Sequence, residues 1–183
     1  MPSLFEQDFP PEHYEVIVAV DGSTDGTAEM LRDWKPPCYL RVIELPRRGP
    51  SAARNAAIRA AIGELILLMD DDFISPPGLL RRHCASHAKP GPSLVHGPVL
   101  VAPESTKTMV RYIVEQFYEE YHRSLDPEME LQFPEKPSSF MVLTFISNSS
   151  VPRQALLAAG GFEERIFTSE DLELGLRLWK MGV

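Results

Sequence analysis

Three carboxylates in a row, Asp70–Asp71–Asp72, close the apolar run Glu64 to Met69. In an extended chain residues i and i+2 face the same way, so Asp70 and Asp72 are expected to point together and Asp71 elsewhere. The run before them reads as a buried strand, and in a parallel sheet ligands gather at the carboxyl ends of the strands. Two carboxylates placed there form a hard-oxygen site for Mg2+ or Mn2+, ions that keep open positions for substrate phosphates. A bare D-D-D is more simply a solvated acidic turn. Its place directly after a strand, and its company below, turn the reading toward metal.

Three further segments carry chemistry. Asp21 also ends a strand, Glu15 to Val20, and its carboxylate can accept hydrogen bonds from a base or ribose. The alternative is an N-cap or Asx-turn role, which Asp25 fits better. In Gly49–Pro50–Ser51–Ala52–Ala53–Arg54–Asn55 a glycine leads into a helix whose first turn offers backbone N–H groups and a positive dipole end. Gly49, Ala52 and Asn55 therefore count as donor-binding candidates. Arg54 adds charge-assisted hydrogen bonds to phosphate or ribose, against the alternative of a surface cation; Arg47 and Arg48 lie just before. In Ser169–Glu170–Asp171 the carboxylates stand where a helix N-terminus favours them, and a general base is set against plain helix capping. Taken alone, that segment favours capping.

The elements that must position these groups alternate between strand and helix, which points to βαβ units and a mostly parallel sheet. Helices are expected at Ala28 to Trp34, at Pro50 to Ile62 with Gly63 as its stop, and from Pro76, capped by Ser75, to about His87. Further helices are expected at about Pro152 to Ala158 and Glu170 to Met181. Leu40 to Leu45, Leu94 to Val101 and Phe140 to Ile146 read as strands. Ser105 to about Leu125 reads as a long amphipathic helix, with Val110, Ile113, Val114, Phe117 and Tyr121 at helical spacing. Packing on the sheet is its plainer role, and an acceptor or membrane-surface contact the other. Asp126 to Ser139, acidic and rich in proline, reads as a loop.

Composition bounds the partners. At 183 residues the chain is one domain, 1–183. Its net charge of −8 argues against nucleic acid but not against a nucleotide, because a bound metal reverses the local sign. Cys38 and Cys84 form neither a disulfide framework nor a zinc pattern and read as buried thiols in a reducing compartment. The longest apolar run, Leu65 to Met69, has the length of a strand, far below the ~20 residues of a membrane span.

Together and in order, VIVAVDGSTDGT (16–27), RRGPSAARNAAIRAAIGELILLMDDD (47–72) and ISNSSVPRQALLAAGGFEERIFTSEDLELGLRLWKMGV (146–183) resemble the family-2 inverting glycosyltransferases. The resemblance implies the GT-A fold, an α/β domain with a Rossmann-like, mostly parallel sheet flanked by helices. It implies a nucleotide-sugar donor, usually UDP-linked, and Mn2+ or Mg2+ on Asp70 and Asp72 bridging the diphosphate. Asp71 falls inside the same donor motif. Asp21 would touch the base, Arg54 the nucleotide, and Asp171 would be the catalytic base, with Glu170 beside it. The acceptor would be a hydroxyl of a sugar, a polysaccharide or a lipid-linked group, with the protein in the cytoplasm or at the inner face of the membrane. Family members usually begin with a strand carrying a P-x-Y-N-like motif, whereas Met1 to Asp8 looks like the end of the helix after it. Many members carry two acids before G-S, where this chain has Val20 and Asp21. The chain also stops before the Q-x-x-R-W-type segment of processive members. It reads as a catalytic core cut short at both ends, with membrane association through segments outside it. A sugar nucleotidyltransferase is disfavoured by the lack of a long Gly-rich basic loop after the first strand. A non-catalytic nucleotide-binding fragment is the remaining alternative.

Overall fold

The computed structural model describes residues 2–88, 93–99, 102, 108–109, 111–112, 115–116 and 148–183. The loop expected over 126–139 and the strand expected over 140–146 lie outside the described residues. Of the helix expected over 105–125, Met109, Arg111, Tyr112, Glu115 and Gln116 are described and helical.

The first unit is a parallel pair joined by a helix. The β-branched run Glu15–Asp21 forms β1, and Tyr39–Leu45 forms β2 beside it, in register from Glu15 opposite Tyr39 to Asp21 opposite Leu45. Parallel neighbours need a crossover, and α1, Thr27–Asp33, supplies it. Asp25 sets its start: one carboxylate oxygen accepts from the Thr27 amide at 3.1 Å and the Thr27 hydroxyl at 2.6 Å. Ala28 and Leu31 of α1 close over Val20, with Val18, Trp34 and Val42 packed around them.

The second unit carries most of the core. Leu65–Leu68 forms β3, Val95–His96 β4 and Ser149–Pro152 β5. β5 runs antiparallel to β3 on one side and to β4 on the other, so β3 and β4 share one direction. Among the described residues the sheet expected as mostly parallel therefore holds one strand reversed in its middle. Ile58, Leu68, Val151, Leu156, Phe162, Leu174, Leu178 and Val183 make one buried cluster. They come from α2 (Pro50–Ala60), β3, β5, α4 (Arg153–Ala158) and α5 (Glu170–Lys180), with the loop after α4.

Several boundaries differ from expectation, each for a definite physical reason. α2 stops at Ala60 rather than near Gly63, because Glu15 Oε1 accepts the Ile62 and Gly63 amides at 2.6 and 3.1 Å and draws the chain out of the helix. α3 covers Leu79–Ser86 and starts after Gly78, not at Pro76. A residue preceding proline avoids the helical region, so Pro76–Pro77 delays the start. The Ser75 amide instead donates to Ser3 Oγ at 3.0 Å, tying the N-terminal segment to this loop. Among the described residues of the strand expected over Leu94 to Val101, pairing is confined to Val95–His96, and Pro98 cannot donate to a ladder. Residues Pro2–Leu4 form a single 3-10 turn.

Two expected outcomes arise here. His83 is buried on α3, with Nδ1 2.7 Å from Ser150 Oγ and Nε2 2.9 Å from Asn148 Oδ1. Burial holds its pKa below 6.5, so folding favours the neutral ring. Below about pH 6.5 the unfolded chain takes up more protons than the folded one, so stability is full above that pH and falls as the solution is acidified. His83→Ala should cost about 1–3 kcal/mol at neutral pH, because buried Asn148 Oδ1 loses its ring partner, while Ser150 Oγ keeps His87 Nε2 at 2.8 Å. Urea unfolding across pH checks both effects. Among the described residues, β1 pairs with β2 alone. A β-branched strand with one edge unpaired recruits other chains. The described residues leave the other edge of β1 uncovered, so the 183-residue chain is expected to self-associate in size-exclusion chromatography with light scattering, and a clean monomer would place another segment of the chain on that edge.

Candidate active site

The site forms where β1 and β3 end and α2 begins. Gly22, at φ 72, lets the segment before α2 come close; a Cβ there would meet Arg47 Cβ at 2.9 Å. The Asp21 carboxylate then receives the loop: Oδ1 accepts the Arg48 amide at 2.8 Å and Oδ2 the Gly49 amide at 2.7 Å. Asp21 thus fixes the way into α2, and Gly49 is its partner. Ala52 is buried in the first turn of α2 and presents no side chain to solvent.

Arg54, on the next turn, joins the two acidic segments. Its Nη1 donates to Glu170 Oε1 at 2.8 Å and its Nη2 to Asp70 Oδ1 at 3.2 Å. The guanidinium also lies over the Phe162 ring, 5.6 Å from its centroid. Residues 54, 70 and 170, far apart in sequence, thus meet through one cation. Asp71 and Asp72 stand exposed on the turn after β3. Because the chain turns there, the shared face expected of Asp70 and Asp72 from an extended backbone does not follow from pleating.

Asp171 is the second residue of α5, half-buried, and its Oδ1 accepts the Leu172 amide at 2.8 Å. Burial pushes its carboxyl pKa up, and the neighbouring Glu170 charge adds to the rise. Ser169 precedes the helix with φ 62, a left-handed conformation that is costly for a non-glycine residue, and makes no side-chain cap bond. Ser169 does not cap α5 through its side chain, whereas the Asp171 carboxylate does the work of a cap on the Leu172 amide.

Asn55, expected to contact a donor, is 4% exposed and turned inward. Its Nδ2 donates to the Phe162 carbonyl at 2.8 Å, and its Oδ1 accepts the Phe162 amide at 2.7 Å. Gly161, at φ 73, permits this: a Cβ would stand 2.4 Å from Asn55 Oδ1. The side chain positions a loop rather than facing solvent. Residues 161–164 were not singled out in the sequence, yet Glu164 pairs with Arg48 at 2.9 Å across 116 positions. The only signal for them was the run Gly160–Gly161–Phe162, since contacts of that sequence separation leave no periodicity.

Among the described residues no group of three His, Cys, Asp or Glu side chains could hold a metal by itself. Mg2+ and Mn2+ do not need one: they bind through one or two carboxylates plus substrate phosphates. The part-exposed Asp70 and exposed Asp72 have the donor chemistry for that arrangement.

The family model for glycosyl transferase family 2 matches residues 2–147. The chain belongs to this family. It is 27% identical over 200 residues to validoxylamine A glucosyltransferase of Streptomyces hygroscopicus subsp. limoneus, covering 99% of this chain and 44% of that protein. It is 43% identical over 84 residues to poly(ribitol-phosphate) beta-glucosyltransferase of Bacillus spizizenii, covering 43% of this chain and 13% of that one. The chain thus spans less than half the length of these two relatives. The crystal structure of S. aureus TarS in complex with UDP aligns over 97% of this chain and 49% of its own, with a TM-score of 0.73 at 21% identity. The Pyrobaculum calidifontis mannosyltransferase PcManGT, in complex with GDP-Man and Mn2+, aligns over 99% and 47%, with a TM-score of 0.68 at 22% identity. The fold of this family-2 chain is that of the GT-A glycosyltransferases. Among the described residues, no helix is long and apolar enough to cross a membrane.

Proposed function

We propose that residues 1–183 form the catalytic core of an inverting glycosyltransferase that moves a sugar from a UDP-sugar to an acceptor hydroxyl. The observation that carries this reading is the Asp70–Arg54–Glu170 bridge, which brings the D-x-D segment to the half-buried Asp171. TarS structures with UDP and with UDP-GlcNAc support a uridine donor. PcManGT with GDP-Man and Mn2+ supports a divalent ion at such a site.

Asp70 and Asp72 would hold Mn2+ or Mg2+, which would supply the positive charge that lets a diphosphate lie against two carboxylates. Asp21 and the first turn of α2 receive the nucleotide, and Arg54 donates to its phosphate oxygens. Asp171 takes the proton from the acceptor hydroxyl. The acceptor oxygen then forms its bond to the anomeric carbon as the bond to the diphosphate breaks, leaving by the opposite face, so configuration inverts. A raised carboxyl pKa suits this role, because a base works best when its pKa lies near the working pH. The acceptor is a hydroxyl of a sugar, a polysaccharide or a lipid-linked group, on the cytoplasmic side of the membrane.

The test is product analysis with a panel of nucleotide sugars and Mn2+. Release of UDP from one donor, with the sugar on an acceptor in inverted configuration, is the expected result. Formation of a sugar nucleotide from a sugar phosphate would replace this reading with a nucleotidyltransferase.

A further inference from the structure

Arg54 shares one positive charge between two carboxylates of different surroundings. The Glu170 side chain is 12% exposed and the Asp70 side chain 40%. The bond to Glu170 is the shorter and drier, at 2.8 Å against 3.2 Å. Charge-assisted bonds strengthen as water is excluded, and the wetter bond is the one that yields. A divalent ion at Asp70 takes over the neutralisation that Arg54 gives and repels the guanidinium. Glu170 and the donor phosphates then hold it.

Glu170 is the first residue of α5, Asp171 the second, and the strained Ser169 the joint before them. The rest of α5 is anchored separately. Arg177 Nη2 donates to the Gly161 carbonyl at 2.7 Å and to Glu173, and its Nη1 donates to the Ala159 carbonyl. Asn55 holds the same loop from α2. What Arg54 controls is therefore the first turn of α5, which carries Asp171.

We propose that Arg54 couples cation and donor binding at Asp70 to the placement of Asp171, acting through Glu170 as a positioning residue. This rests on the nucleotide-sugar reading above. Glu170 takes no proton from substrate; it ties the base helix to the donor side. Binding of Mn2+ and UDP would leave Glu170 the one carboxylate held by Arg54 and tighten the turn, so the base is held most firmly when a donor is present.

The test is hydrogen exchange on the 183-residue chain, with and without UDP plus Mn2+, in wild type, Glu170→Gln and Arg54→Lys. In wild type the Glu173 and Leu174 amides are expected to exchange about 5-fold more slowly on binding, at the lower end of measured site-to-site couplings. In Glu170→Gln the UDP–Mn2+ affinity should stay close to wild type while the slowing disappears. With a sugar donor, kcat should fall while donor KM holds. Arg54→Lys keeps the charge but cannot span both carboxylates, so it should keep only part of the slowing. A Glu170→Gln variant that slows as wild type does overturns the proposal, as does one that loses UDP affinity and kcat together. Wild type that binds UDP with Mn2+ but shows no slowing overturns the coupling alone. Wild type that binds no UDP overturns the donor reading, and the coupling with it.

Discussion

Replacing Asp171 by Asn is expected to lower turnover by about 10²- to 10⁴-fold, the usual contribution of a general base, while UDP binding survives. The side chain sits on α5 beside Glu170, which Arg54 holds through the nitrogen that does not meet Asp70, so it is expected to serve the acceptor and not the diphosphate. Its pKa is raised chiefly by burial. The acid limb of the rate profile should therefore lie above the ordinary carboxylate range and vanish in the variant. The stability consequence has the opposite sign to the catalytic one. A carboxyl whose folded pKa is raised costs the native state nothing below its unfolded value of 3.8, and costs it increasingly as pH rises through the folded value. Asp171→Asn should thus melt higher than wild type at neutral pH, with the gap closing on acidification. Steady-state kinetics and thermal melts across pH read both effects. Equal loss of UDP affinity and turnover would remove Asp171 from the base role, and retained activity would return it to helix capping.

Asp70→Ala or Asp72→Ala is expected to abolish the gain in UDP affinity brought by Mn2+ or Mg2+, and Asp71→Ala to leave most of it. Charges of like sign about 4 Å apart repel by about 4 kcal/mol at an effective dielectric near 20. A diphosphate facing two carboxylates therefore needs a cation between them. Asp70→Ala should also raise metal-free UDP affinity, because it removes that repulsion and leaves Arg54 to the phosphates. Asp72 is exposed, and among the described residues no cation bridges it as Arg54 bridges Asp70, so its loss should act on the metal effect alone. Calorimetric titrations of the three variants, with Mn2+ and with chelator, separate these outcomes. A metal effect that survives in Asp70→Ala would place the cation elsewhere.

What the sequence shows of this protein divides by range. The apolar runs of β1 and β3 and the alanines of α2 announce themselves through local pattern, and all three elements form where the pattern puts them. The Asp-x-Thr start of α1 is likewise local, and Asp25 does cap there. Boundaries fail where a distant group intervenes: Glu15 ends α2, and Ser3 holds the loop that delays α3. Asn55 shows the same limit within the site. Its place just beyond a helix first turn suggests a ligand contact, but the loop that claims its amide lies 107 positions away. The candidate residues Arg54, Asp70 and Glu170 were legible one by one through charge and position. That one guanidinium joins them was not, because ion pairs across such separations have no sequence period.

Calorimetric titration of UDP into the wild-type chain, once with Mn2+ and once with chelator, tests the metal-bridged donor site most directly. Saturable binding that strengthens markedly with Mn2+ is the result expected from Asp70 and Asp72 facing a diphosphate beside the start of α2. Equal affinity in the two titrations, or no binding in either, would contradict a metal-bridged nucleotide-sugar site.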